Sequence, residues 1–155
     1  MTAMALNILG LTDAVISHAS ASGYFETVNG AEPKNAPATG GLTAAVWADR
    51  VTPLRSSGLN SVSVLLVFNV RIYGSAQSEP ADAIDPNMLA AVDALCAAYS
   101  SDFTLGGLVR SVDLLGANGT ALGVRAGYLS QDGVLYRVMT ISVPVIVNDL
   151  WEEVA

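Results

Sequence analysis

The chain has 155 residues, a usual length for one domain and enough to bury one proper core. Apolar residues make up 52% of it and charged ones only 14%, and 14 acids against 7 bases leave a net charge of −7, which argues against a nucleic-acid face built from clustered Lys and Arg. No run approaches the roughly 18 uninterrupted apolar residues of a membrane helix. The positive mean hydropathy of +0.46 therefore predicts either apolar surface that meets other subunits or a monomer surfaced with Ala, Gly, Ser and Thr.

The N-terminal stretch MTAMALNILGLTDAV lacks the basic segment of a secretory signal and places Asp13 where an apolar stretch should continue. It predicts mature sequence that stays in the cytoplasm after synthesis. Met4, Ile8, Leu11 and Val15 recur at helical spacing, with Asp13 and Ser17 off the stripe, so a first helix is expected over roughly residues 3–21, stopped by Gly23. A short strand is expected from Tyr24 to Val28. The proline and glycine content from Asn29 to Gly41 then forbids regular structure and predicts a flexible loop.

Strand character returns from Leu42 to Leu54, and the clearest strand is SVSVLLVFNVRIY. There Val62, Val64, Leu66, Phe68, Val70 and Ile72 share one wholly apolar face, while Leu65, Val67 and Tyr73 share the other with Ser61, Ser63, Asn69 and Arg71. Asp85 followed by Pro86 fits an N-cap with a first-turn proline, opening a second helix whose buried stripe is Leu89, Val92, Cys96 and Tyr99. Next comes a meander. Strands are expected at Leu108–Leu115, Ala121–Leu129 and Val134–Val147, with turns at Ala117–Thr120 and at Gln131–Gly133. Pro144 inside the last strand predicts an edge position or a bulge, because proline cannot donate to the ladder.

This order points to a single α+β domain over residues 1–155, with a mostly antiparallel mixed sheet and two helices packed on one face. Leu65, Val67 and Tyr73 on the other face would then need cover, for which a neighbouring subunit is a reasonable candidate.

The residues of catalysis are sparse. His18 is the only histidine, and no GxSxG, GxGxxG, HExxH or GxxxxGK motif occurs. Cys96, the single cysteine, can form no internal disulfide and reads as a buried small hydrophobe. Glu79, Asp82 and Asp85 stand three apart, a spacing open to calcium but explained more simply by helix capping and dipole complementarity. The Asn118–Gly119–Thr120 triplet matches a glycosylation sequon and reads as a hairpin turn. Trp47 and Trp151 are core or interface residues, Trp151 being the better interface candidate.

Several blocks together resemble a known family. They are AEPKNAP at 31–37, LTAAVWADRVTPL at 42–54, SSGLNSV at 56–62, VFNVRIY at 67–73, EPADAIDPNMLAAVDAL at 79–95, DFTLGGLVRSVDLLG at 102–116 and RAGYLSQDGVLYRVMTISVPVIVND at 125–149. The chain resembles the tail terminator proteins of long-tailed phages, of the kind found in actinobacterial phages and prophages, and the likeness covers nearly all of it. A histidine often precedes the EPK of this loop in that pattern; Ala31 stands there in this chain.

The resemblance implies a small α+β subunit that forms a hexameric ring, caps the finished tail tube, halts tube polymerisation and presents a surface to the head. Its expected partners are further copies of itself, the tail tube protein and a head completion or connector protein, with DNA passing through the lumen without specific binding. No enzyme activity, cofactor, metal or membrane is expected. The expected place is the head-proximal end of the tail in the virion, after assembly in the host cytoplasm. Glu32, Pro33, Lys34, Asn35 and Pro37 in the loop, together with Trp151, are the residues expected at a subunit or tube interface. A head completion or connector protein shares the size, sign of charge and ring habit, and stays open as an alternative. An enzyme would need a deep pocket converging on His18 with a carboxylate partner.

Overall fold

A computed structural model describes residues 7–31, 42–54, 61–75, 84–131 and 133–152. The elements in chain order are helix α1 (Ile8–Ser22), strands β1 (Phe25–Asn29), β2 (Leu42–Leu54) and β3 (Ser61–Ser75), helix α2 (Ile84–Ser101), and strands β4 (Ser111–Val112), β5 (Gly123–Gln131) and β6 (Val134–Glu152). The six strands form one sheet in the order β1-β2-β3-β6-β4, with β5 also paired to β6. Only β1 and β2 run parallel; every other pair is antiparallel. The fold is α+β, as the element order predicts.

α1 starts later than the expected residue 3. Asn7 has left the helical region, and its side chain accepts from the Gly10 N–H at 3.1 Å, which caps one of the free donors of the first turn. Residues 1–6, and Met4 with them, lie outside the described residues. Gly23 ends the helix at φ 79, the left-handed conformation that glycine adopts without a Cβ penalty. Leu11, Thr12, Val15 and Ala19 form the buried face, whereas Ile8 at the helix start is partly exposed.

In α2 the buried face is rotated from the expected stripe. Met88, Ala91, Val92, Leu95 and Tyr99 are buried, and Leu89 is 53% exposed. Leu89, Val92, Cys96 and Tyr99 fit the helical period, but so does the neighbouring row, and packing selects the row with the larger apolar content. Asp85 lies inside the first turn of the helix rather than at its cap, and its carboxylate is held by Arg137.

Val64, Leu66, Phe68, Val70 and Ile72 of β3 meet Val147, Val145, Val143, Ile141 and Met139 of β6 in register. Their shared face is the floor on which both helices lie, forming one continuous core. The opposite face corrects an expectation. Leu65, Val67 and Tyr73 are buried within the single chain, so no second subunit is needed to cover them. Tyr73 and Tyr136 meet edge to face with ring centroids 6.2 Å apart, among Ala45 and Val138, with Trp47, Leu129 and Val134 packed against them. Leu65, Val67 and Ile146 pack together against Leu54. Large residues on adjacent strands shield each other in this way.

The strand expected at Leu108–Leu115 shrinks to two residues. Leu105, Gly106 and Gly107 have φ of 48°, 69° and 87°, so the chain is still turning there. The buried Asp113 then ends the strand by accepting from the Ala117 and Asn118 N–H groups at 3.0 and 2.9 Å. The expected turn at Ala117–Thr120 follows, with Gly119 at φ 108.

Pro144 is neither on an outer strand nor at a bulge, because β6 has neighbours on both sides. It stands where the flanking partner changes: β5 pairing ends at Ser142, and β4 pairing begins at Val145. The Pro144 carbonyl accepts from the Asp113 N–H at 2.9 Å, so its nitrogen faces that same flank, in the gap between the two short partners. The missing donor thus costs the ladder no bond.

The rotated α2 face yields a direct check. Leu95→Ala is expected to destabilise the protein by about 2–5 kcal/mol, and Leu89→Ala by no more than about 0.5 kcal/mol, as measured by urea denaturation.

Candidate functional site

Of the residues expected at an interface, Glu32, Pro33, Lys34, Asn35 and Pro37 lie outside the described residues, as do Glu79 and Asp82. Trp151 is placed by its backbone only, which pairs with Val62 near the end of β6. The anchors of the 29–41 segment can nevertheless be located. It leaves from the end of β1 and returns at Leu42, beside Phe25, and the adjoining Thr43 pairs with Tyr73. Tyr73 and Val62 lie near opposite ends of β3, roughly 36 Å apart at about 3.3 Å per residue. The fold thus sets the anchor of the loop and the backbone of Trp151 at opposite ends of the sheet.

His18 does gain a carboxylate partner. Its Nε2 lies 2.9 Å from Asp102 Oδ2, joining α1 to the end of α2. The other carboxylate oxygen accepts from the Gly106 N–H at 3.0 Å. The imidazole stands edge-on to Tyr99 at 5.4 Å, and the Tyr99 hydroxyl donates to the Val15 carbonyl at 2.9 Å. The Gly106 amide first, and the His18 contact second, hold the Asp102 carboxyl below the usual carboxylate range. Burial, and then the neighbouring Cys96, push the Tyr99 phenol up, so it remains a neutral donor. Burial, followed by Asp93, raises the thiol of Cys96, which is half-buried against the core rather than enclosed. A raised thiol is a poor nucleophile. The His18–Asp102 contact thus ties α1 to the segment that follows α2.

Arg137 forms a second clasp. Its Nε and Nη2 donate to the two Asp85 oxygens at 2.9 and 3.2 Å, its Nη1 donates to the Gly127 carbonyl at 3.2 Å, and its guanidinium lies 4.6 Å from the centre of the Tyr128 ring. The Asp85 carboxylate raises the Arg137 pKa further, leaving it charged at any physiological pH. Asp85 is thereby committed to an ion pair, the bidentate geometry that arginine favours. Among the described residues no three His, Cys, Asp or Glu side chains gather as a metal site, and no helix is long and apolar enough to cross a membrane.

A third group lies on the sheet face away from the helices. Arg71 donates from Nε to Thr140 Oγ1 at 3.0 Å and stacks 5.1 Å from the centre of the Trp47 ring. Arg71, Arg125, Ala126, Gly127, Val138 and Thr140 line an open cleft of about 220 Å³. No sequence signal marks the pairs His18–Asp102, Arg71–Thr140 and Asp85–Arg137, because their members stand 52 to 84 positions apart. His18, Tyr99, Asp85, Trp47 and Arg71 drew notice in the sequence, each without its partner.

No family model matches the chain, and no curated protein matches it. Among solved structures, the chain is similar to one in the virion of a native gene transfer agent particle, at 14% identity and a TM-score of 0.41, over 92% of this chain and 98% of that one.

The helix clasp is testable through its pH dependence. The lowered pKa of Asp102 means that its stabilisation is present above the carboxyl's unfolded value, near 4, and is lost as pH falls through the folded value. Asp102→Asn is expected to cost about 1 kcal/mol at pH 7, partial exposure keeping the figure small. Denaturation midpoints of the two proteins should converge as the pH is lowered below the usual carboxylate range.

Proposed function

We propose that the protein is a structural component of a virion and, more narrowly, a tail terminator of a long-tailed phage. The observation that carries the reading is the agreement between two things: sequence blocks over nearly the whole chain that resemble this family, and an architecture of two helices on one face of a mostly antiparallel sheet, which those blocks imply. The reading makes the protein a non-enzymatic assembly subunit, and the His18 and Arg137 clusters structural clasps.

The mechanism is steric and thermodynamic. Six copies close a ring whose one face complements the growing end of the tube, while the opposite face does not repeat it, so heterologous stacking stops after one layer. A subunit suits that task when its two ends differ. Here the anchor of the 29–41 segment and the last residues of β6 belong to opposite ends of the strands. Residues 32–37 then serve one contact and Trp151 another. The segment's small residues and prolines suit docking, because such residues disfavour a competing helix or strand. The acidic surplus, turned to the lumen, weakens DNA adhesion by like-charge repulsion.

Native mass by light scattering, with negative-stain microscopy of the protein alone and mixed with tail tubes, tests the reading. Rings of about six subunits, free or seated only on tube ends, are expected. A monomer that ignores tubes but joins portal rings would transfer the assignment to a connector. Deleting residues 31–39 is expected to leave the denaturation profile two-state while abolishing ring formation or capping; tubes of normal length from that mutant would refute the role of the segment.

A further inference from the structure

We infer that the open cleft on the helix-free face of the sheet is a binding site for an oxyanion, a carboxylate or a phosphate group, recognised by Arg125, Arg71 and the Thr140 hydroxyl. The inference is independent of the virion reading.

The register builds this site. Arg71 of β3 and Arg125 of β5 both pair with Thr140 of β6, one from each side. With strands about 4.8 Å apart, their backbones stand roughly 10 Å from each other across the threonine. Both side chains rise from the same face, because directly paired residues share one. Thr140 Oγ1 accepts from Arg71 Nε at 3.0 Å, so the hydroxyl proton is free to point into the cleft as a donor. Trp47 stacks on the Arg71 guanidinium and fixes its plane. Arg71 has further contacts within the fold, so it acts as a positioned positive wall. Arg125 is the exposed arm, without a hydrogen-bond or ion-pair partner among the described residues.

The surroundings favour an anion. The register positions around this row hold Ala45, Asn69, Tyr73, Val138, Ser142, Gly123 and Gly127, with no carboxylate among them. Arg137 lies on the other face and is held by Asp85. In a chain with twice as many acids as bases, two arginines flank one hydroxyl in this row. Space is provided by small residues. A Cβ built on Gly127 would meet only Val138 Cγ2, at 3.9 Å, so the cleft is open where a side chain would normally fill it. Two guanidinium groups and a hydroxyl suit one oxyanion, whereas a DNA backbone needs a longer basic track.

The test uses Trp47 as the reporter, in a Trp151→Phe background where it is the sole tryptophan. Fluorescence is titrated with sodium phosphate and with sodium acetate, against sodium chloride at matched ionic strength. A saturable change beyond the chloride control is expected, and Arg125→Gln should weaken it about tenfold or more. Gly127→Val should weaken it similarly while keeping both arginines, since valine suits a strand and fills the cleft. Circular dichroism and urea midpoints check that both variants fold. Phosphate and acetate acting alike would support the site and point to a carboxylate, such as an acidic side chain presents. A response to phosphate alone would support it and point to a phosphoryl group. The inference is overturned if neither anion exceeds chloride, or if the response survives both substitutions.

Discussion

The pairing of β3 with β6 is the constraint from which the rest of the molecule follows. It runs from Ser61 opposite Glu152 to Ser75 opposite Tyr136, interrupted by one irregularity between Val62 and Val64. Both strands are buried on both faces over most of that length. Side chains alternate strictly along a strand, so a slip of one residue would turn Asn69 and Arg71 into the helix-covered core and expel Phe68 and Val70. The wholly apolar floor of Val64, Leu66, Phe68, Val70 and Ile72 against Met139, Ile141, Val143 and Val145 is what the two helices can cover. Burial of such side chains is worth about 1.5–3 kcal/mol each before entropy is counted.

The polar clusters are consequences of this register. Arg137 emerges on the helix face opposite Gly74, where a Cβ would lie 3.2 Å from Leu42 Cδ2 and 3.5 Å from Met88 Sδ. The small residue lets α2 approach the sheet, and Arg137 then closes on Asp85 in its first turn. On the other face the same ladder aligns Arg71, Thr140 and Arg125 in one row. The His18–Asp102 clasp depends on the helices themselves: their packing brings Tyr99 under Val15, and the chain turning out of α2 delivers Asp102 to the imidazole. Each cluster joins elements distant in sequence, so each works as a staple of tertiary structure.

Much of the fold was legible because its signals are local. β2 begins and ends at Leu42 and Leu54 as its composition suggests, Gly23 stops α1, and the alternation of β3 names its floor correctly. Errors arose where two local solutions were equally good. Leu89 and Met88 both satisfy the helical period, and Asp85 could cap a helix or sit within its first turn; the sheet and Arg137 decide these cases. Pro144 signals a defect in pairing, and the defect exists, but as a gap between β5 and β4 beside a central strand.

The sequence by itself determined the element order, the α+β class, the apolar floor of the sheet and the acidic balance, because periodicity, turn residues and charge act over a few neighbouring positions or over the chain as a sum. Only the tertiary structure decided which helix row is buried, that Leu65, Val67 and Tyr73 are covered within one chain, and that Arg71 and Arg125 flank Thr140. The physical reason is that long-range register and helix placement are chosen by total packing, a cooperative quantity to which no short window of sequence has access.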